Sequence, residues 1–158
     1  EKNIILEKSN ELGKIKFDDK ILHRSKVIKI FTEENPNQDK IKKDFASIFK
    51  KISRNKKYFY SIKDIMLLET LSSEGIKMPK DFDTKTLSKN LSVPSNLRSL
   101  VDNEEIGIFM LKLVEIIGSD EIKNLDPETL YFITNLLNQA KIKKLRNQIL
   151  NLSLPLRV

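Results

Sequence analysis

The same helical phrase is written twice in this chain. Asp44-Phe45-Ala46-Ser47-Ile48-Phe49-Lys50-Lys51-Ile52 is echoed by Glu105-Ile106-Gly107-Ile108-Phe109-Met110-Leu111-Lys112-Leu113. The helix that follows each copy is echoed too, with Ile65, Leu68, Leu71 and Gly75 answered by Leu130, Ile133, Leu136 and Ala140. Two helix pairs that rhyme in this way favour stacked units, because a single amphipathic pair cannot bury its apolar side alone and needs the next pair to cover it. The sequence therefore predicts an all-α fold of antiparallel helical hairpins, stacked as a short α-solenoid or an irregular helical bundle.

Periodicity places the elements. A short helix over residues 3–12, stopped by Gly13, and an extended piece over 14–17 come first, followed by a helix that Asp18 or Asp19 caps and that reaches Phe31. The clearest stripe is Ile41, Phe45, Ile48, Phe49 and Ile52, stepping by three and four residues. Ser61 begins the next helix, which Glu74-Gly75 ends. Residues 38–78 thus make a first hairpin and 79–103 an irregular packed spacer. In that spacer Asp83 and Ser95 each cap a piece of two turns at most. A second hairpin with a terminal helix fills 104–152, all within a single domain spanning 1–158. Its first helix, Glu104 to Ile117, is apolar almost all round, which predicts a central position. Asp126-Pro127-Glu128 is a strong start signal, combining a cap acceptor, a proline where no N–H is needed and a carboxylate at the positive end of the dipole. The apolar stripe that begins at Leu130 slips phase after Ala140, which argues for a break near Gln139 to Lys143, with a single long helix as the alternative because no Gly or Pro forces a turn.

Composition narrows the function classes. The chain has no cysteine, so it has no disulfide framework, thiolate nucleophile or thiolate metal site. His23 is the single histidine and reads as a structural or surface residue. The four glycines form no phosphate-cradling loop. Gly107, inside a helix where glycine costs about 1 kcal/mol against alanine, predicts close approach of another helix backbone, the role Ala46 plays in the first copy. The acidic pairs Asp18-Asp19, Glu33-Glu34, Glu104-Glu105 and Asp120-Glu121 stand at helix ends or turns, and stabilisation of the dipole by carboxylates at helix N-termini explains two of the four. No catalytic residue, cofactor or metal is assigned, and the expectation is a non-enzymatic protein. No stretch approaches the ~20 apolar residues of a membrane span. For compartment the cytoplasm is the first expectation. The chain opens on Glu1, which also fits a piece of a longer protein or an exported one whose leader has been removed.

Charge is concentrated in one place. The formal net charge is +7, and Lys40, Lys42, Lys43, Lys50, Lys51, Arg54, Lys56 and Lys57, less Asp44, account for all of it. Tyr58-Phe59-Tyr60 follows directly, and cations beside aromatics suit the backbone and bases of single-stranded nucleic acid. Lys42, Lys43, Lys50, Lys51, Arg54, Lys56 and Lys57 are accordingly candidate contacts to an anion or a partner. The competing reading makes the lysines the solvated back of an amphipathic helix, with Phe59 filling the core at the hairpin turn. Lys, Ile and Asn make up 57 of the 158 residues, a skew that resembles an AT-rich coding background and weakens lysine as a functional sign.

Over residues 38–142 the echo resembles α-solenoid repeat proteins of the tetratricopeptide-like, helix-turn-helix class. The tetratricopeptide pattern of Trp, Leu-Gly and Tyr is missing, since the chain has no Trp. The resemblance implies a scaffold that holds a protein partner in a groove or on helix faces, and assigns no functional residue. Binding of nucleic acid or another anionic surface through Lys40 to Lys57 is the alternative expectation.

Overall fold

The computed structural model describes residues 26–56, 58–79 and 83–154, except for the side chains of residues 26, 29 and 32. The helix expected over 3–12, Gly13, the extended piece 14–17, the Asp18-Asp19 cap, His23, Lys57 and the anchor Phe82 lie outside these residues. Within them the protein is all-α, a packed helical bundle with no strand. A 3-10 turn, Lys26–Ile28, leads into α1 (Lys29–Thr32), α2 (Gln38–Arg54), α3 (Ile62–Ser73), α4 (Thr84–Leu87), α5 (Ser95–Asp102) and α6 (Ile106–Ile117). A second 3-10 turn, Ile122–Asn124, precedes α7 (Pro127–Gln139) and α8 (Lys143–Ser153). Among the described residues no helix is long and apolar enough to cross a membrane.

The helix starts follow from their caps. Asn37 accepts from the Lys40 N–H at 3.0 Å and opens α2. Ser61 and Asp64 make a reciprocal capping box at α3, the Ser61 hydroxyl accepting at 3.1 Å and the Asp64 carboxylate at 3.0 Å. Asp126 accepts from the Thr129 N–H at 2.9 Å, with Pro127 at the first helical position. Asp83 caps α4 as expected. Ser95 does not cap α5: Pro94 stands at that position, and Ser95 is the first helical residue. The helix ends are equally local. Gly75 at φ +83 closes α3, where the Ile76 N–H reaches back to the Leu71 carbonyl at 3.0 Å. The break foreseen between Gln139 and Lys143 is present, and neither Gly nor Pro makes it. Lys141 at φ +58 plays the glycine's part, with the Ile142 N–H on the Leu137 carbonyl at 3.0 Å.

The centre of the bundle is the seam between α3 and α7. Met66, Leu67, Leu68 and Leu71 meet Leu130, Ile133, Leu136 and Leu137 in one continuous apolar cluster, each essentially without exposure. Each such side chain stabilises by roughly 1.5–3 kcal/mol relative to exposure. Polar pairs along the rim fix the register. Glu69 accepts from the Tyr131 hydroxyl at 3.1 Å and the Asn135 amide at 3.0 Å, and one turn later Ser73 and Thr70 meet Asn138 at 3.3 and 3.2 Å. The paired positions advance together along both helices, and their sequence separation brackets the shift at which the two helices echo. Each helix also buries a threonine that bonds one turn back, Thr70 to the Met66 carbonyl and Thr134 to the Leu130 carbonyl.

A buried arginine closes the C-terminal end of the seam. Arg146 on α8 is 2% exposed and donates to Glu74 at 2.6 Å, to Asn138 at 3.2 Å and to Asn147 at 2.8 Å. Lys143 reaches the other Glu74 oxygen at 3.0 Å. Burial pushes the Glu74 carboxyl up, but the hydrogen bonds and charges of Arg146 and Lys143 outweigh it and leave the group below its ordinary value. Three helix ends are joined there: the close of α3, the close of α7 and the first turns of α8.

One expectation fails. The helix 106–117 is not central but lies at the edge of the bundle, packed mainly on α5, and only Phe109 and Leu113 are buried. Hydrophobicity measures a side chain's aversion to water, not whether its own chain supplies the cover, and the central place goes to α3 and α7.

Candidate functional site

Two helix faces stand out, and the echo makes them equivalent positions. On α2 the core takes Ile41, Phe45, Ile48 and Ile52. A helix turns 100° per residue, so the remaining residues divide into a flank and a back. The flank carries Lys42, Ala46, Phe49, Lys50 and Ser53 and borders a groove. Its larger part, about 650 Å³, is lined by Ala46, Phe49, Lys50, Tyr60, Pro79 and Leu87 among others. A smaller part of about 310 Å³ adjoins it at Ala46 and Pro79, with Lys42 and Lys77 on its wall. Lys43 and Arg54 stand beside Lys50 on the side turned away from the core, and Lys51 lies on the other flank.

The candidate cations are therefore not gathered into one site. Lys42 and Lys50 border the groove, Lys43, Lys51 and Arg54 face solvent, and Lys56 is exposed in the turn after the helix. None of these six makes an ion pair among the described residues. The aromatic triplet also divides. Tyr58 and Tyr60 are half-buried and meet edge to face, ring centres 4.9 Å apart. Phe59 is 57% exposed, so the expectation that it fills the core at the turn is corrected. Burial and the Asp64 charge hold the Tyr60 hydroxyl above its ordinary value, so it is a neutral hydroxyl at the groove wall.

The outer face of α6 has a different chemistry. Phe109 and Leu113 point inward and define the core side, and the opposite side presents Ile108, Leu111 and Val114 at 50, 72 and 65% exposure, with Ile116 at 38% on its margin. Gly107 lies among them. An added Cβ there would meet nothing within 4 Å, so the expectation of a close neighbouring backbone is corrected: Gly107, one turn before Leu111, stands in open space. Ala46, its counterpart on α2, is exposed as well. Lys112 and Glu115 pair at 2.7 Å across this face, and the hydrogen bond from Lys112 holds the Glu115 carboxyl below its usual range.

A run of exposed aliphatic side chains one turn apart on an ordered helix is unusual, since single exposed apolar residues are common and contiguous ones mark contact sites. The sequence signal for this face was present in the all-apolar composition of residues 106–117, but the same signal describes a core helix. Among the described residues no three His, Cys, Asp or Glu side chains gather where they could hold a metal ion. Compared with protein-family models, curated proteins and solved structures, the chain matches none of them.

Proposed function

We propose that the protein is a helical interaction module, a scaffold of the helical-repeat kind that binds a protein partner on the outer face of α6. The observation that carries this reading is the contiguous exposed face of Ile108, Leu111 and Val114, with Gly107 in open space one turn before Leu111. Covering it removes apolar surface from water at roughly 25 cal/mol per Å². The repeat reading draws support from the α3–α7 seam, whose register follows the sequence echo. The test is selection of helical peptides from a displayed library against the intact protein, followed by measurement on the variant Leu111→Ser/Val114→Ser. Ligands that bind the variant as well as the parent would refute the assignment of this face.

A second reading has its own observation in Phe59, exposed immediately after a helix whose candidate cations make no ion pair. Binding of single-stranded nucleic acid by this edge would weaken steeply as salt rises, and an affinity indifferent to salt would reject it.

A further inference from the structure

The electrostatic setting of α6 indicates which kind of partner its face fits, an inference that rests on the docking face proposed above. Between Asp102 and Glu121 the chain carries six carboxylates, Asp102, Glu104, Glu105, Glu115, Asp120 and Glu121, against one cation, Lys112, in a protein of formal net charge +7. All seven are exposed. Lys112 is paired with Glu115, Glu121 is paired with Lys123 at 2.6 Å, and Asp102 accepts from Gln139. Glu104, Glu105 and Asp120 make no ion pair among the described residues. The 12-residue helix is about 18 Å long. Carboxylates therefore bracket the apolar face at both ends, and Glu115 stands beside Leu111 in the middle.

This arrangement discriminates among occupants. A second copy pairing through the same face would bring an acidic end against an acidic end in either orientation, and like charges so placed oppose association. A second copy offering α2 would supply cations but no apolar stripe, because Ile41, Phe45, Ile48 and Ile52 are committed to its own core. A membrane surface fits no better, since helices that lie on anionic bilayers carry Lys and Arg beside their apolar side, and here the charges have the opposite sign. The remaining complement is cationic and apolar together. We propose that the outer face of α6 takes a basic amphipathic helix of another protein. Its aliphatic side chains would lie against Ile108, Leu111 and Val114, and the open space at Gly107 leaves room for close approach. Lys or Arg near its ends would meet Glu104, Glu105 and Asp120.

The test uses the whole chain and three designed helical peptides that share one apolar stripe and differ only in lysine, glutamine or glutamate flanks. Affinities are read by fluorescence anisotropy at low and high salt. The lysine peptide is expected to bind at least about tenfold more tightly than the glutamine peptide, with the glutamate peptide weakest and the spread narrowing as salt screens the charges. Glu104→Gln/Glu105→Gln/Asp120→Asn should bring the lysine peptide to the glutamine value while leaving the glutamine peptide unchanged. Equal binding of all three peptides, lost in Leu111→Ser/Val114→Ser, would overturn the basic partner and keep the docking face. Binding of no peptide, or binding that ignores the Leu111→Ser/Val114→Ser change, would overturn both. Concentration-dependent dimerisation lost in the same variant, or binding to vesicles of anionic lipid, would replace the proposed occupant.

Discussion

α2 and α6 agree on the side that faces the bundle and disagree on the side that faces away. At the shift that aligns the two copies, Ile48 and Ile52 fall on Phe109 and Leu113, and all four are buried. At the same shift Lys50 falls on Leu111 and Ser53 on Val114, and all four are exposed. The inner positions answer to packing, which tolerates little change in either copy. The outer positions have no such constraint from packing, and there one copy is basic and solvated and the other aliphatic.

The comparison breaks first if the inner faces are not equivalent. Phe109→Ala should cost about 3–5 kcal/mol and Ile52→Ala about 2–5 kcal/mol in chemical denaturation, since each leaves a cavity in the shared core. A cost below about 1 kcal/mol for Phe109→Ala would mean that α6 is not held by its inner face. Next in size is the polar end of the seam. Glu74→Ala leaves the Arg146 guanidinium buried beside Asn138 and Asn147 without its carboxylate, and should cost about 3 kcal/mol. The sign with pH follows from the lowered titration of Glu74. Its contribution is complete above the ordinary carboxylate value in the unfolded chain and is lost as pH falls through the lower native value. Glu74→Gln should flatten that part of the acid limb, and an unchanged limb would remove Glu74 from the account.

Much of this bundle is legible in the sequence, and the reasons are local. Ser61, Asp83 and Asp126 announce helix starts because a side-chain oxygen at that position meets a backbone N–H two or three residues on. The break after Gln139 is legible because an apolar stripe that changes phase cannot stay on one face of a straight helix. What escapes is whatever depends on the neighbours an element finds. Phe59 resembles a core aromatic in sequence, yet the chain turns so that Tyr58 and Tyr60 pack on the core while Phe59 is 57% exposed. Helix 106–117 looks central for the same reason, and its outer face is identified only by the exposure of Ile108, Leu111 and Val114. The candidate lysines likewise form one block in sequence, but the helical turn spreads them around the exposed side of α2, with Lys42 and Lys50 lining the groove and Lys51 on the far flank.

The ends of the two seam helices give a finer test. Gly75 and Lys141 hold the same left-handed position after α3 and α7, one with the residue suited to it and one without. Lys141→Gly should stabilise by about 0.5–1 kcal/mol by relieving the clash that a Cβ brings there, and Gly75→Ala should cost about as much. Gly107→Ala belongs with these as the helical case. In open space it should gain up to about 1 kcal/mol of stability from helix propensity, yet weaken binding of a helical partner that packs close on the bare backbone. Stability and affinity moving in opposite directions would distinguish a docking position from an accident of composition.

The smallest expected change in stability carries the most information. Leu111→Lys/Val114→Ser gives α6 the outer residues of α2, exchanging one face for the other at matched positions. Both side chains are largely in solvent, so folding free energy should move by no more than about 0.5 kcal/mol. Any partner held by the apolar face should be lost, because the change removes the aliphatic contacts and sets a cation where a basic helix would lie. A drop of several kcal/mol would show that Leu111 and Val114 are covered within the protein itself, and the contrast between the two helices would then be one of folding. Unchanged stability with lost binding would place the contrast in recognition, where α2 and α6 have equivalent frames and opposite tasks.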